Sequence, residues 1–281
     1  MSDHPRFRVG LWNVNEPKAN LPAIEKFFKN IAHPRQVVCL QEVPGHLLGD
    51  LRAMATARKL EIYYTLDKKR LATKKDAQAE DPFKRCYLVV LTDMPILSSN
   101  AWMMSDTSKR PWVARNIIIP GLEVAGKWDG TTVQNDGCYV DIEFGGKRVR
   151  VITGHLSLTD PVTRRKEFQT LLDHRDPDIP TVICGDFNIL EGSKGIGANL
   201  LIGNNIPYAF WRSERHEFDE LLYSEELDNR FGGIPTHTSG GQLDHILLSS
   251  QLRHHGYATH PREQSDHKGL HLDVEFRPTF D

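Results

Sequence analysis

The chain has 281 residues, 39% hydrophobic and 26% charged, an ordinary globular composition with enough apolar residues for a sizeable core. A net charge of −2 excludes a global basic field, so contact with a polyanion has to be local or carried by a bound cation. No run approaches the ~20 apolar residues of a spanning helix, the first six residues lack the apolar segment of a secretory signal, and Cys39, Cys86, Cys138 and Cys184 lie too far apart for a zinc knuckle or redox pair. The expectation is a monomeric, cytoplasmic protein without membrane insertion, formed as one domain over 1–281.

In chain order, the apolar run Phe7–Trp12 leads into Asn13. Leu21, Ile24, Phe27, Phe28 and Ile31 then recur at helical spacing, with Asn20 placed to cap and Pro22 in the first turn. Val37–Leu40 leads through Gln41 to Glu42, and Leu47, Leu48, Leu51, Met54 and Ala55 predict a second helix. From Thr65 to Arg85 the chain is polar and basic, with Lys68-Lys69-Arg70, Lys74-Lys75 and Lys84-Arg85, and reads as a surface loop. Val149–Ile152 leads through Thr153-Gly154 to His155. Asp160-Pro161 opens a third helix, with Val162, Phe168, Leu171 and Leu172 expected to face inward. Thr181–Gly185 leads to Asp186. Such nearly continuous apolar strands are buried on both faces, and a polar residue closing each one can converge with the others on one edge.

Two segments carry the chemistry. Gly185-Asp186-Phe187-Asn188 offers an anionic acceptor beside a neutral amide, able to orient water and a phosphate oxygen, although Asp-x-Asn after glycine is also common in turns. Ser265-Asp266-His267, with Leu243-Asp244-His245-Ile246 upstream, sets a hard oxygen ligand beside a titrating ring; among 13 histidines some neighbour aspartates by chance. Trp112, Trp128 and Trp211 can stack on bases but read more readily as packing residues. The run Arg164-Arg165-Lys166 can meet phosphates, yet charge runs are usually solvated faces.

Taken together, Trp12-Asn13-Val14, Gln41-Glu42-Val43, Gly154-His155-Leu156, Gly185-Asp186-Phe187-Asn188, Leu243-Asp244-His245-Ile246 and Ser265-Asp266-His267-Lys268-Gly269-Leu270 resemble, in order, the endonuclease/exonuclease/phosphatase (DNase I-like) superfamily. The resemblance implies an α/β (α+β) four-layered sandwich, two packed mixed β-sheets flanked by helices, with the site at one end. It implies Glu42 as principal ligand of Mg²⁺ (or Mn²⁺), with Asn13 beside it and Asp266 completing the shell. It makes His267, held by Asp244, the partner of the attacking water, with Asp186 and Asn188 positioning water and phosphate and His155 donating to a non-bridging oxygen. Whether Asp186 or His267 takes the proton stays open. Arg115 sits where family members often present an arginine to the phosphate, and a surface salt bridge is the competing reading. The strand Tyr87–Leu91 before Asp93-Met94-Pro95-Ile96 also fits the family, but where secreted relatives carry a glutamate supporting the first histidine this chain has Arg85 or Cys86, leaving the partner of His155 in doubt.

The implied activity is hydrolysis of phosphodiesters, with DNA or RNA as the expected substrate; Leu11-Trp12-Asn13-Val14, Arg115-Asn116 and the Ser265 segment look somewhat like tyrosyl-DNA phosphodiesterases. The alternatives are a phosphatase or phosphodiesterase of small or lipid phosphates, of the inositol phosphate or sphingomyelin type, and an inactive binding module.

Overall fold

The apolar runs become strands whose alternating side chains divide between two kinds of interior. In the computed structural model, which describes residues 5–15, 18–65, 86–106, 134–157, 161–189 and 213–278, β1 (Phe7–Asn13) lies between β2 (Gln36–Pro44), parallel to it, and β12 (Gly269–Phe276), antiparallel. With β3 (Glu61–Tyr64), β4 (Cys86–Thr92) and β11 (Leu252–His260) they form a six-stranded sheet of order β11-β12-β1-β2-β4-β3. A second six-stranded sheet comprises β5 (Ile96–Asp106), β6 (Gln134–Phe144), β7 (Lys147–His155), β8 (Thr181–Asp186), β9 (Asp228–Asn229) and β10 (Asp244–Leu248), in the order β5-β6-β7-β8-β10-β9.

Strand periodicity explains why the runs are apolar throughout. Val9, Leu11, Val37, Cys39 and Val90 of the first sheet pack against Val140, Val151, Val182, Cys184 and Ile246 of the second. Their alternates Val38, Leu40, Val89 and Leu91 face α1 (Leu21–Asn30) and α2 (Leu48–Ala57), while Ile152, Ile183 and Leu247 face α3 (Pro161–Leu172) and α4 (Glu214–Ser224). The result is the expected sandwich of helices, sheet, sheet and helices. Among the described residues no helix is long and apolar enough to cross a membrane.

The first helix follows its sequence signals: the Asn20 side chain accepts from Ala23 N at 3.0 Å, and Ile24, Phe27 and Phe28 are buried. The second is led in by a 3-10 turn at Gly45–Leu47. The third departs from expectation. Val162 is exposed, and the buried stripe instead runs through Arg164, Glu167, Phe168 and Leu171. These positions share one helical face, and their charges are matched locally. Arg164 makes a bidentate pair with Glu214 of α4, at 2.6 and 2.7 Å, and Glu167 accepts from Ser157 N at 2.7 Å. Arg164 is therefore not part of a solvated basic face. Thr65 is also buried rather than at the surface, its hydroxyl accepting from Leu88 N. The rest of the basic loop, Arg115, Asp160, Trp112, Trp128 and Trp211 lie outside the described residues.

Breaking one side of a buried ion pair strands the other charge. Glu214→Ala is expected to lose about 3–5 kcal/mol of stability by urea unfolding, whereas the double change Arg164→Met with Glu214→Leu, which removes both charges, should cost far less.

Candidate active site

Topology brings the polar strand ends together. In the parallel pairs, Asn13 of β1 lies opposite Gln41 of β2, and His155 of β7 opposite Asp186 of β8. The antiparallel neighbours contribute their beginnings: Asp244 opens β10 opposite Asp186, and Ser265–Lys268 precedes β12 beside the end of β1. All these groups therefore gather at one end of both sheets.

Two backbone devices refine the placement. β2 bulges between Leu40 and Val43, and Glu42 within the bulge takes φ of +55°. A left-handed conformation costs a non-glycine residue roughly 1–2 kcal/mol, and here it redirects the carboxylate toward Asn13. Gly185 pairs with Gly154 on the neighbouring strand, and a Cβ on Gly185 would collide with the Gly154 carbonyl oxygen. Glycine thus allows the two strands to approach just before their functional ends.

Asn13 connects the acids. Its Oδ1 accepts from Asn15 N at 3.0 Å, which fixes the orientation of the amide. Its Nδ2 donates to Glu42 Oε1 at 3.1 Å and to Asp186 Oδ2 at 3.0 Å, linking the two sheets. His155 Nε2 lies 3.7 Å from the same Glu42 oxygen and 3.6 Å from Asp186 Oδ2, so these two acids are neighbours of the ring. Asn188 has φ of +53° and donates from Nδ2 to Leu156 O at 2.8 Å, while its own N–H donates to Asp186 Oδ1.

His267 Nδ1 lies 2.8 Å from Asp244 Oδ2 and donates to it, leaving Nε2 directed toward Asp186 at 3.5 Å and Asp266 at 3.8 Å. The loop bearing it is stitched to β1: Ser265 Oγ donates to Asn13 O, and Trp12 Nε1 to His267 O. Burial alone would lower the pKa of His267, but Asp244, Asp186 and Asp266 outweigh it and push it up to about 10. Burial likewise works to raise Asp266, but the hydrogen bond from His237 and the neighbouring His267 charge hold its carboxyl well below the usual range.

The structure thus assembles Asn13, Glu42, His155, Asp186, Asn188, Asp244, Asp266 and His267. Sequence reasoning missed His237 and Asn15. His237 reaches the site through a β-bridge to His267, and Asn15 donates to Asp266 at 2.9 Å; no linear spacing announces either contact.

The donor set fits a hard divalent cation. Four carboxylates, from Glu42, Asp186, Asp244 and Asp266, converge on two rings, His155 and His267. Asp244 Oδ1 is buried and has no hydrogen-bond partner. Glu42 and Asp266 are partly open, 28% and 38% exposed, while the side chains of Asp186 and Asp244 are enclosed. The open pair is the one a cation with its own waters can reach.

The sequence profile of the Endonuclease/Exonuclease/phosphatase family matches residues 10–267, and the chain belongs to that family. No curated protein is a match. Among solved structures, an endonuclease/exonuclease/phosphatase from Beutenbergia cavernae DSM 12333 is similar at TM-score 0.68 and 18% identity, over 96% of this chain and 72% of that one. D. rerio TDP2 complexed with single strand DNA product aligns at TM-score 0.59 and 12% identity, over 96% and 99%. The mannosyl-6-phosphatase Bt3783 of Bacteroides thetaiotaomicron VPI-5482 aligns at 0.59 and 15%, over 96% and 100%. Family and site together support phosphoric ester hydrolysis.

In metal-free protein, the raised pKa of His267 stabilises the fold fully below about pH 6.5, and that contribution is lost as pH rises through about 10. Asp244→Asn is expected to lower the midpoint by about one to three pH units, read from the imidazole resonances by NMR in EDTA. An unchanged midpoint would contradict the Asp244 pairing.

Proposed function

We propose that this chain is a Mg²⁺-dependent phosphodiesterase acting on nucleic acid. The observation carrying the reading is the Asn13 amide that holds Glu42 of one sheet and Asp186 of the other at a single mouth, with His155 and His267 beside them. Glu42 and Asp266, with Asn13 alongside, would hold the ion. Bound there, Mg²⁺, or Mn²⁺ in its place, would polarise a phosphoryl oxygen and offset the charge that accumulates during in-line attack by water.

The protein groups divide the remaining work. Asp244 fixes the ring of His267, so that Nε2 and the Asp186 carboxylate, 3.5 Å apart, act as one unit on the attacking water. Asn188, held by Leu156 O and Asp186, would position water or phosphate beside them. His155 Nε2, at 3.6 and 3.7 Å from its acidic neighbours, can turn its proton to a non-bridging oxygen. Arg115 would add a cationic contact to the phosphate.

Nucleic acid is favoured over other phosphate esters by the somewhat tyrosyl-DNA phosphodiesterase-like segments at Leu11–Val14 and Ser265–Leu270 and by the likeness to TDP2 with its DNA product. The equally similar mannosyl-6-phosphatase motivates a sugar phosphate as comparator. The test is a panel of duplex and single-stranded DNA, RNA, tyrosyl-linked oligonucleotide, sugar phosphate, inositol phosphate and phospholipid, each with Mg²⁺ and with EDTA. We expect oligonucleotide cleavage that EDTA abolishes and that Glu42→Ala reduces by orders of magnitude. Turnover of a small or lipid phosphate with intact oligonucleotides would overturn the substrate, and full activity of Glu42→Ala would overturn the metal assignment.

A further inference from the structure

We propose that His237 is a positioning residue that fixes the Asp266 carboxylate for the ion; this rests on the reading that Asp266 helps to hold it. The residue lies outside the motifs of the sequence, in the segment Thr236-His237-Thr238, and backbone contacts hold it beside the site. Thr238 N donates to Asp266 O at 3.0 Å, and Lys268 N to Thr236 O at 2.7 Å. Arg262 braces both partners, donating to His237 O and to Asp266 O at 3.1 Å each.

The hydrogen bonds of the ring identify what it does. Ser239 N lies 3.0 Å from His237 Nδ1, and a backbone N–H can only donate, so Nδ1 is an acceptor. In the neutral ring the proton then sits on Nε2, which is 3.2 Å from Asp266 Oδ2. A nitrogen that carries a proton has no lone pair for a metal. Although His237, Asp266 and His267 lie close enough to suggest a three-residue metal site, His237 is therefore a donor to the ligand and not itself a ligand. Asn15 Nδ2 donates to the other oxygen, Oδ1, at 2.9 Å. A half-exposed aspartate, otherwise free to change rotamer, is thus held from both sides. Partners of this kind typically change metal affinity by about 10–100-fold.

The test is Mn²⁺ binding to the full chain without substrate, followed by electron paramagnetic resonance and calorimetry, with unfolding midpoints recorded in EDTA. His237→Ala and His237→Phe both remove the donor, and the second keeps a ring to pack against His267. Both are expected to bind Mn²⁺ about 10–100-fold more weakly, while His237→Gln, whose amide can donate from nearly the same place, recovers most of the affinity. Wild-type affinity in His237→Phe, or no recovery in His237→Gln, would mean that the residue acts only through packing and would overturn the proposal. Glu42→Ala separates the two levels. If it loses Mn²⁺ binding while His237→Ala keeps it, only the role of His237 fails; if Glu42→Ala binds as wild type, or the wild type takes up no Mn²⁺, the metal reading falls and this proposal with it.

Discussion

The site exists because like charges are held together at one edge of the sandwich, and the Asn13 amide is the group that makes this possible. Two unit charges ~4 Å apart repel by on the order of 4 kcal/mol at the effective dielectric typical of protein surfaces. Carboxylates from two different sheets therefore separate unless donors stand between them. Asn13 supplies donors to Glu42 and Asp186 at once, and its own orientation is set by the backbone of Asn15. Because Asn13 closes the central β1 strand while Asp186 closes β8, the same contact fixes how the two sheets meet at this end.

The remaining parts follow from that constraint. A regular β2 would alternate Gln41 and Glu42 strictly across the sheet; the bulge and the left-handed backbone of Glu42 break the alternation where the carboxylate must reach Asn13. The strain is tolerated because the flanking residues Leu40 and Val43 are fully buried and hold the strand on either side. On the second sheet, Asp244 and Asp186 face each other across β10 and β8, and the His267 ring enters between them. Its positive charge in metal-free protein offsets part of the repulsion that the cation would relieve when bound.

What could be read in the sequence, and what could not, divides along physical lines. Period and capping are local properties, so α1 with Asn20 and the strand ends at Asn13, His155 and Asp186 are legible residue by residue. Strands apolar on both alternates need cover on both faces, by helices or by a second sheet, and only the resemblance to the family implies that the cover takes the form of four layers. Arg164 departs from the expectation that a basic triplet on a helix is solvated, because its burial depends on Glu214, fifty residues away. His237 and Asn15 were missed for the same reason. Their meaning lies in hydrogen bonds to Asp266 that span 29 and 251 residues: nothing flanking His237 marks it as part of a site, and the Trp12-Asn13-Val14 motif beside Asn15 does not point to Asp266.

Charge also constrains how the proposed reaction would be ordered. The chain as a whole carries −2, and four carboxylates, two of them enclosed, gather around the His267 and His155 rings, so among the described residues the metal-free site would present net negative charge to a phosphate ester. Under the proposed function, the cation that those acids would hold supplies the main attraction, with Arg115 and His155 as further contacts. On that reading ion and phosphate would bind with positive coupling, and by linkage the phosphate would tighten the ion as much as the ion tightens the phosphate. In this arrangement the rigidity of Glu42 and Asp266 matters more than their number. A carboxylate free to turn would keep its charge, and so its repulsion, while losing the geometry that lets the ion cancel it. The bulge that sets Glu42 and the pair of donors that flank Asp266 answer the same physical demand from opposite sides of the mouth.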